Sequence, residues 1–168
     1  KNVTFVHNPG SNLKLASGVA PVPDALNKGV NVALGTDGAS SNNNLNMWEE
    51  MNLASLIHKG ARLDPTAVNA AEAFKMATVN GAEALGFSKT GQIREGFKAD
   101  MIVVDATKPY YYPRHKLISN IAYAAQASDV ETVFVDGKVL YHKGEYKTLD
   151  REKILYNLEK TCKRLFNK

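Results

Sequence analysis

Residues 30–41, which read VNVALGTDGASS, admit few folds. Val30, Val32 and Leu34, with Ala33 between them, form a short and nearly continuous apolar run, the pattern of a parallel strand buried on both faces. Gly29 ahead of the run and Gly35 behind it punctuate it, and the segments on either side read as helices. The local order is therefore helix, strand, loop, helix, which is the plan of an α/β fold. In parallel sheets and barrels the loops at the carboxyl ends of the strands converge on one mouth and carry the chemistry. Asp37 occupies such a loop, and Gly35 and Gly38 leave room for its carboxylate to approach a ligand or metal closely. An Asp beside a Gly equally suits a turn closed by its own side chain, so the stretch alone leaves both roles open.

A chain of 168 residues is one ordinary domain, long enough for a sizeable core. With 44% hydrophobic and 23% charged residues it reads as globular, and no apolar run approaches the length needed to cross a membrane. No signal-peptide pattern follows Lys1, and the lack of an initiator Met suggests a processed or excised piece. The single cysteine, Cys162, rules out an internal disulfide, fits a reducing cytoplasmic setting, and lies on the apolar side of a helical pattern, where packing is expected. The net charge of +4 comes largely from the tail, whose Lys and Arg residues alternate with acids. Without aromatic or glycine-rich recognition motifs, that tail reads as a solvated face rather than a nucleic-acid contact.

In chain order, residues 3–6 read as a short strand feeding the turn His7-Asn8-Pro9-Gly10-Ser11-Asn12, and residues 13–22 as a covering loop. His7 could be a ligand, a proton shuttle or a satisfied loop histidine, and Ser11 and Asn12 could orient neighbours or cap the turn. A short helix over 23–28 stops at Gly29, and a longer one over 46–58 is closed by Lys59-Gly60, with His58 set favourably against its negative end. Asp64-Pro65 reads as the cap and first residue of the next helix, followed by a helical turn that stops at Gly86. Beyond Thr90 the composition turns to β-type runs at 101–104, 121–124, 132–135 and 139–141, with Asp136-Gly137 as a strong hairpin signal. The Tyr110-Tyr111-Tyr112-Pro113 cluster is expected to pack an extended segment onto the sheet. A final helix opens at Asp150, with Ile154, Leu155, Leu158, Cys162, Leu165 and Phe166 on one apolar stripe.

Three blocks in register, FVHNPGSNLKLASGVAPV, VALGTDGASSNNNLNMWEEM and ATVNGAEALGFSKTGQIREGFKADMIVVD, closely resemble the carboxyl-terminal part of the metal-dependent amidohydrolases. Within them the resemblance is nearest to the branch of S-adenosylhomocysteine and methylthioadenosine deaminases and triazine chlorohydrolases. It implies an α/β fold made of the last strands and helices of a TIM-like barrel, followed by part of a small β-sandwich and a C-terminal helix. Residues 1–89 would carry barrel strands seven and eight, 90–149 the sandwich portion, and 150–168 the amphipathic helix. By resemblance, Asp37 is the metal ligand and general base, Ser41 matches a position that contacts the substrate purine, and His7 and Asn12 lie near the pocket.

The resemblance further implies a divalent metal, zinc or else iron or manganese, and a small heterocyclic substrate that loses ammonia, or chloride in the dechlorinating relatives. The family's other ligands, a His-x-His pair and two further histidines, are not among His7, His58, His115 and His142. A zinc site takes three protein ligands and a water, or four. The expectation is therefore the last part of a larger enzyme, inactive alone, whose partners are the missing amino-terminal part and further copies of itself. A non-catalytic assembly module is the alternative from another class, because open strand edges recruit other chains.

Overall fold

The computed structural model describes residues 3–166. Strands β1 (Thr4–His7) and β2 (Asn31–Leu34) pair in parallel, Phe5 opposite Val32 and His7 opposite Leu34. The crossover between them holds α1 (Pro9–Lys14) and α2 (Val22–Asn27). The turn expected at Pro9-Gly10 is instead the start of α1. Proline at the first helical position has the right φ and lacks only an N–H that would go unpaired there, while Asn8 before it stays outside the helix at φ −121°.

After β2 come α3 (Ala39–Asn42) and α4 (Met47–Arg62), the latter capped by the Asn46 side chain accepting from the Trp48 amide. Helix α4 does not stop at Gly60 as expected but runs on to a left-handed Leu63 at φ +52°. A mid-helix glycine costs only about 1 kcal/mol, and Lys59 anchors this turn by donating to the carbonyls of Ser55, Ala67 and Val68.

The next helix also starts later than expected. Asp64 accepts from the Thr66 amide and hydroxyl in a side-chain turn, and Val68 turns left-handed at φ +47°. Asn69 then opens α5 (Ala70–Ala77) through a reciprocal capping box with Glu72. Helix α6 (Val79–Ala84) follows and ends before Gly86, which sits at φ +69° where a side chain is disfavoured.

The second sheet is antiparallel, in the order β3 (Met101–Val104), β4 (Val130–Val135), β5 (Lys138–His142) and β6 (Glu145–Tyr146). Asp136 and Gly137, at φ +50° and +76°, make the expected tight turn between β4 and β5. Residues 121–124 are not a strand. Ile121 to Tyr123 close α7 (Leu117–Tyr123), with Ala124 just past its end, and the helix buries Ala122 in the core cluster with Val32, Met51, Ala73 and Met76. A short apolar run does not distinguish a strand from a buried helix, and packing decided it.

The tyrosine cluster is likewise not extended: Pro109–Tyr111 forms a 3-10 turn. The Tyr110 and Tyr111 hydroxyls donate to the two oxygens of buried Asp129, at 2.5 and 2.9 Å. Finally α8 (Arg151–Phe166) forms as expected, but each described residue in it is exposed, Cys162 included, so that thiol is not packed. Helical periodicity registers an apolar face and says nothing of what covers it.

Candidate functional site

The carboxyl ends of β1 and β2 lie side by side, joined by the Gly35 amide donating to the His7 carbonyl at 3.0 Å. A side chain here would have to displace its neighbours. A Cβ on Gly35 would stand 2.4 Å from Asn8 Oδ1 and 3.1 Å from Val6 Cγ1. Beyond it the chain turns sharply, with Asp37 left-handed at φ +59°, a conformation that Asp adopts more readily than most residues.

The Asp37 carboxylate is exposed and held at both oxygens. Oδ1 accepts from the Gly38 amide and Oδ2 from the Ser11 hydroxyl, each at 2.8 Å. Hydrogen bonds from Ser11, then Ser41, then the Gly38 amide hold this carboxyl below the ordinary carboxylate range. Ser41 is half-buried, and its hydroxyl also lies 3.0 Å from the Gly38 carbonyl. Its single proton therefore has two acceptors within reach. Asn12 sits half-buried in α1, its amide donating to the Asn8 carbonyl at 3.0 Å.

Behind this rim lies a buried frame. Glu50, 1% exposed, accepts from the Gly10 amide at 2.9 Å and from Asn42 Nδ2 at 2.6 Å. One side chain of α4 thus ties the start of α1 to the end of α3. Lys14 adds a second tie by donating to the Ser40 carbonyl at 2.8 Å and to Asn43 Oδ1 at 2.5 Å. His7 and His58 are buried, with their Nε2 atoms 3.1 Å apart. Burial first, and then His58, lower the His7 pKa to about 4. His58 is held below its ordinary value by burial first, then by Arg62 and Lys59.

Ser11, Glu50 and the contact between His7 and His58 were missed as parts of one arrangement. Their partners stand 26, 40 and 51 residues away, beyond any local spacing rule. Among the described residues no three His, Cys, Asp or Glu side chains gather where they could hold a metal. Asp37 fits one ligand position, and the chain's described residues do not make a metal site by themselves. Two surface grooves, one beside β4 and β5 and one beside Trp48 and Tyr123, are lined by none of Asp37, Ser41, His7 or Asn12.

The amidohydrolase family profile matches residues 1–140. A 5-methylthioadenosine/S-adenosylhomocysteine deaminase of Dictyoglomus thermophilum is 58% identical over all of this chain and 39% of its own length. A 5'-deoxyadenosine deaminase of Methanocaldococcus jannaschii is 50% identical over 95% of this chain and 37% of its own length. The zinc-bound crystal structure of a Xanthomonas campestris adenosine deaminase superposes with a TM-score of 0.92 at 38% identity, covering 96% of this chain and 37% of that one. The zinc complex of an Arthrobacter aurescens atrazine chlorohydrolase superposes with a TM-score of 0.85 at 28% identity, covering 95% and 36%. The chain spans about two fifths of the length of the curated relatives it matches, in their carboxyl-terminal part. With residues 1–140 matched by the family profile and 96% of its length superposing on the adenosine deaminase structure, the chain belongs to the amidohydrolase family.

Proposed function

We propose that this chain contributes Asp37 and the loop after it to the active site of a hydrolytic deaminase acting on an adenosine-type nucleoside. The observation that carries the reading is an exposed carboxylate at the carboxyl end of a buried parallel strand, held at both oxygens by Ser11 and Gly38. The substrate class is supported by the names of relatives at 50–58% identity, against 28% for the triazine enzyme. Residues 1–89 would form barrel strands seven and eight with their helices, 90–149 the sandwich portion and 150–168 a C-terminal amphipathic helix, residues 1–2 and 167–168 lying outside the described residues. The single cysteine is in keeping with work in the cytoplasm.

A divalent metal, zinc by likeness to the zinc-bound structures, would be held in part by Asp37 and completed by donors outside this chain, and would supply a water acidified toward neutrality. Asp37, ionised at neutral pH, accepts one proton of the attacking water as oxygen adds to the amino-bearing ring carbon and returns it to the amino nitrogen, which leaves as ammonia. The water's second proton stays on the oxo product's ring nitrogen. Ser41 and Asn12 would contact the heterocycle. His7, hydrogen-bonded to His58, acts from behind by fixing the end of β1.

The test is ammonia release from S-adenosylhomocysteine by a polypeptide in which this chain replaces the matched part of the Dictyoglomus thermophilum relative. Activity in that polypeptide, and none in the 168-residue chain alone, supports the reading. Ammonia release by the chain alone would contradict it.

A further inference from the structure

We propose that Ser11 is the positioning residue for Asp37, and that Glu50 holds together the two short helices, α1 and α3, on which that pair depends. The proposal rests on the reading of Asp37 as the proton-accepting carboxylate. Ser11 is 3% exposed, yet its hydroxyl donates to Oδ2 of an exposed side chain 26 residues away. A buried hydroxyl aimed at an exposed carboxylate contributes orientation, because the carboxylate would be solvated without it. The Gly38 amide fixes the other oxygen, so rotation about the Asp37 side-chain bonds breaks two hydrogen bonds at once. Each carboxylate oxygen offers two lone pairs, so both retain accepting capacity for a ligand and a proton.

The frame behind the pair has the same logic. Ser11 follows Gly10, whose amide is held by Glu50 Oε2, and Ser41 precedes Asn42, whose side chain is held by Glu50 Oε1. One buried carboxylate therefore sets the distance between α1, which bears the donor, and α3, which follows Asp37. A glutamine at position 50 cannot accept at both atoms, since its nitrogen only donates.

The experiment measures the three-bond side-chain couplings of Asp37 by NMR in the 168-residue chain, for the parent, Ser11→Ala, Ser11→Thr and Glu50→Gln. The expected result is one Asp37 rotamer in the parent and in Ser11→Thr, and averaged rotamers in Ser11→Ala and Glu50→Gln with the β2 resonances unmoved. Ser11→Cys gives the same reading should the alanine variant not fold. A single unchanged rotamer in Ser11→Ala or Ser11→Cys overturns the proposal. In the polypeptide carrying this chain in the Dictyoglomus relative, Ser11→Ala should lower kcat roughly 10- to 100-fold, with KM little changed and with recovery in Ser11→Thr. An unchanged kcat beside averaged rotamers also overturns it. If the parent polypeptide releases no ammonia, the deaminase reading fails, and the couplings still decide whether Ser11 positions Asp37.

Discussion

The Nε2 atoms of His7 and His58 meet at 3.1 Å inside the protein, joining the end of β1 to the last turns of α4. Such a contact needs one proton between two neutral rings, and a second proton would put two charges into a buried space. Below the ordinary histidine pKa of 6.5 the unfolded chain takes up a proton that folded His7 refuses until about pH 4. This stabilisation is therefore complete above pH 6.5 and is lost as the pH falls toward 4. The lowered His58 acts in the same direction. Urea unfolding at pH 7.5 and pH 4.5 should show this loss, and His7→Gln should flatten it. Equal stability of the parent at both pH values would refute the pairing.

Gly10 has no room for a side chain, because a Cβ there would stand 2.2 Å from Glu50 Oε1 and 2.9 Å from Asn42 Nδ2. Gly10→Ala should destabilise the chain by roughly 1–3 kcal/mol, read as a lower urea midpoint with an unchanged slope. It should also move the Asn42 side-chain resonances. A midpoint equal to that of the parent would mean that Glu50 is not fixed as described.

The apolar stripe of α8 presents Leu155 at 45%, Leu158 at 57% and Leu165 at 57% exposure, and Val6 on β1 is 49% exposed. Apolar surface of this kind draws copies together. Light scattering on the 168-residue chain should report a mass above 18.3 kDa that rises with concentration. Cys162, exposed in α8, should react with a thiol reagent without denaturant. A sharp monomer at all concentrations, or a thiol that reacts only in urea, would contradict these expectations.

Legibility in the sequence followed the range of the forces involved. The strand at 31–34, the Asp136-Gly137 turn and the helix stop at Gly86 rest on neighbours a few residues apart, and local patterns reveal them. Helix α7 did not announce itself, because Ile121 and Ala122 look alike in a strand or a helix until α4 and α5 bury them. Pro9 misled in another way: it breaks a helix from within but opens one at its first position. Asp37 stood out through its glycines and its place after an apolar run. Its hydrogen bond with Ser11 spans 26 residues, and only the parallel pairing of β1 with β2 brings the two loops together.

The most direct test of the account is the rate of ammonia release from S-adenosylhomocysteine by the polypeptide in which this chain completes the Dictyoglomus thermophilum relative, with and without Asp37→Asn. The substitution keeps the size and leaves one accepting oxygen, enough for Ser11 or for the Gly38 amide but not both, and it removes the charge and the proton-accepting capacity. The account predicts steady release by the parent and a loss of at least roughly 100-fold in kcat for the variant. Release by the Asp37→Asn polypeptide at the parent rate would contradict it.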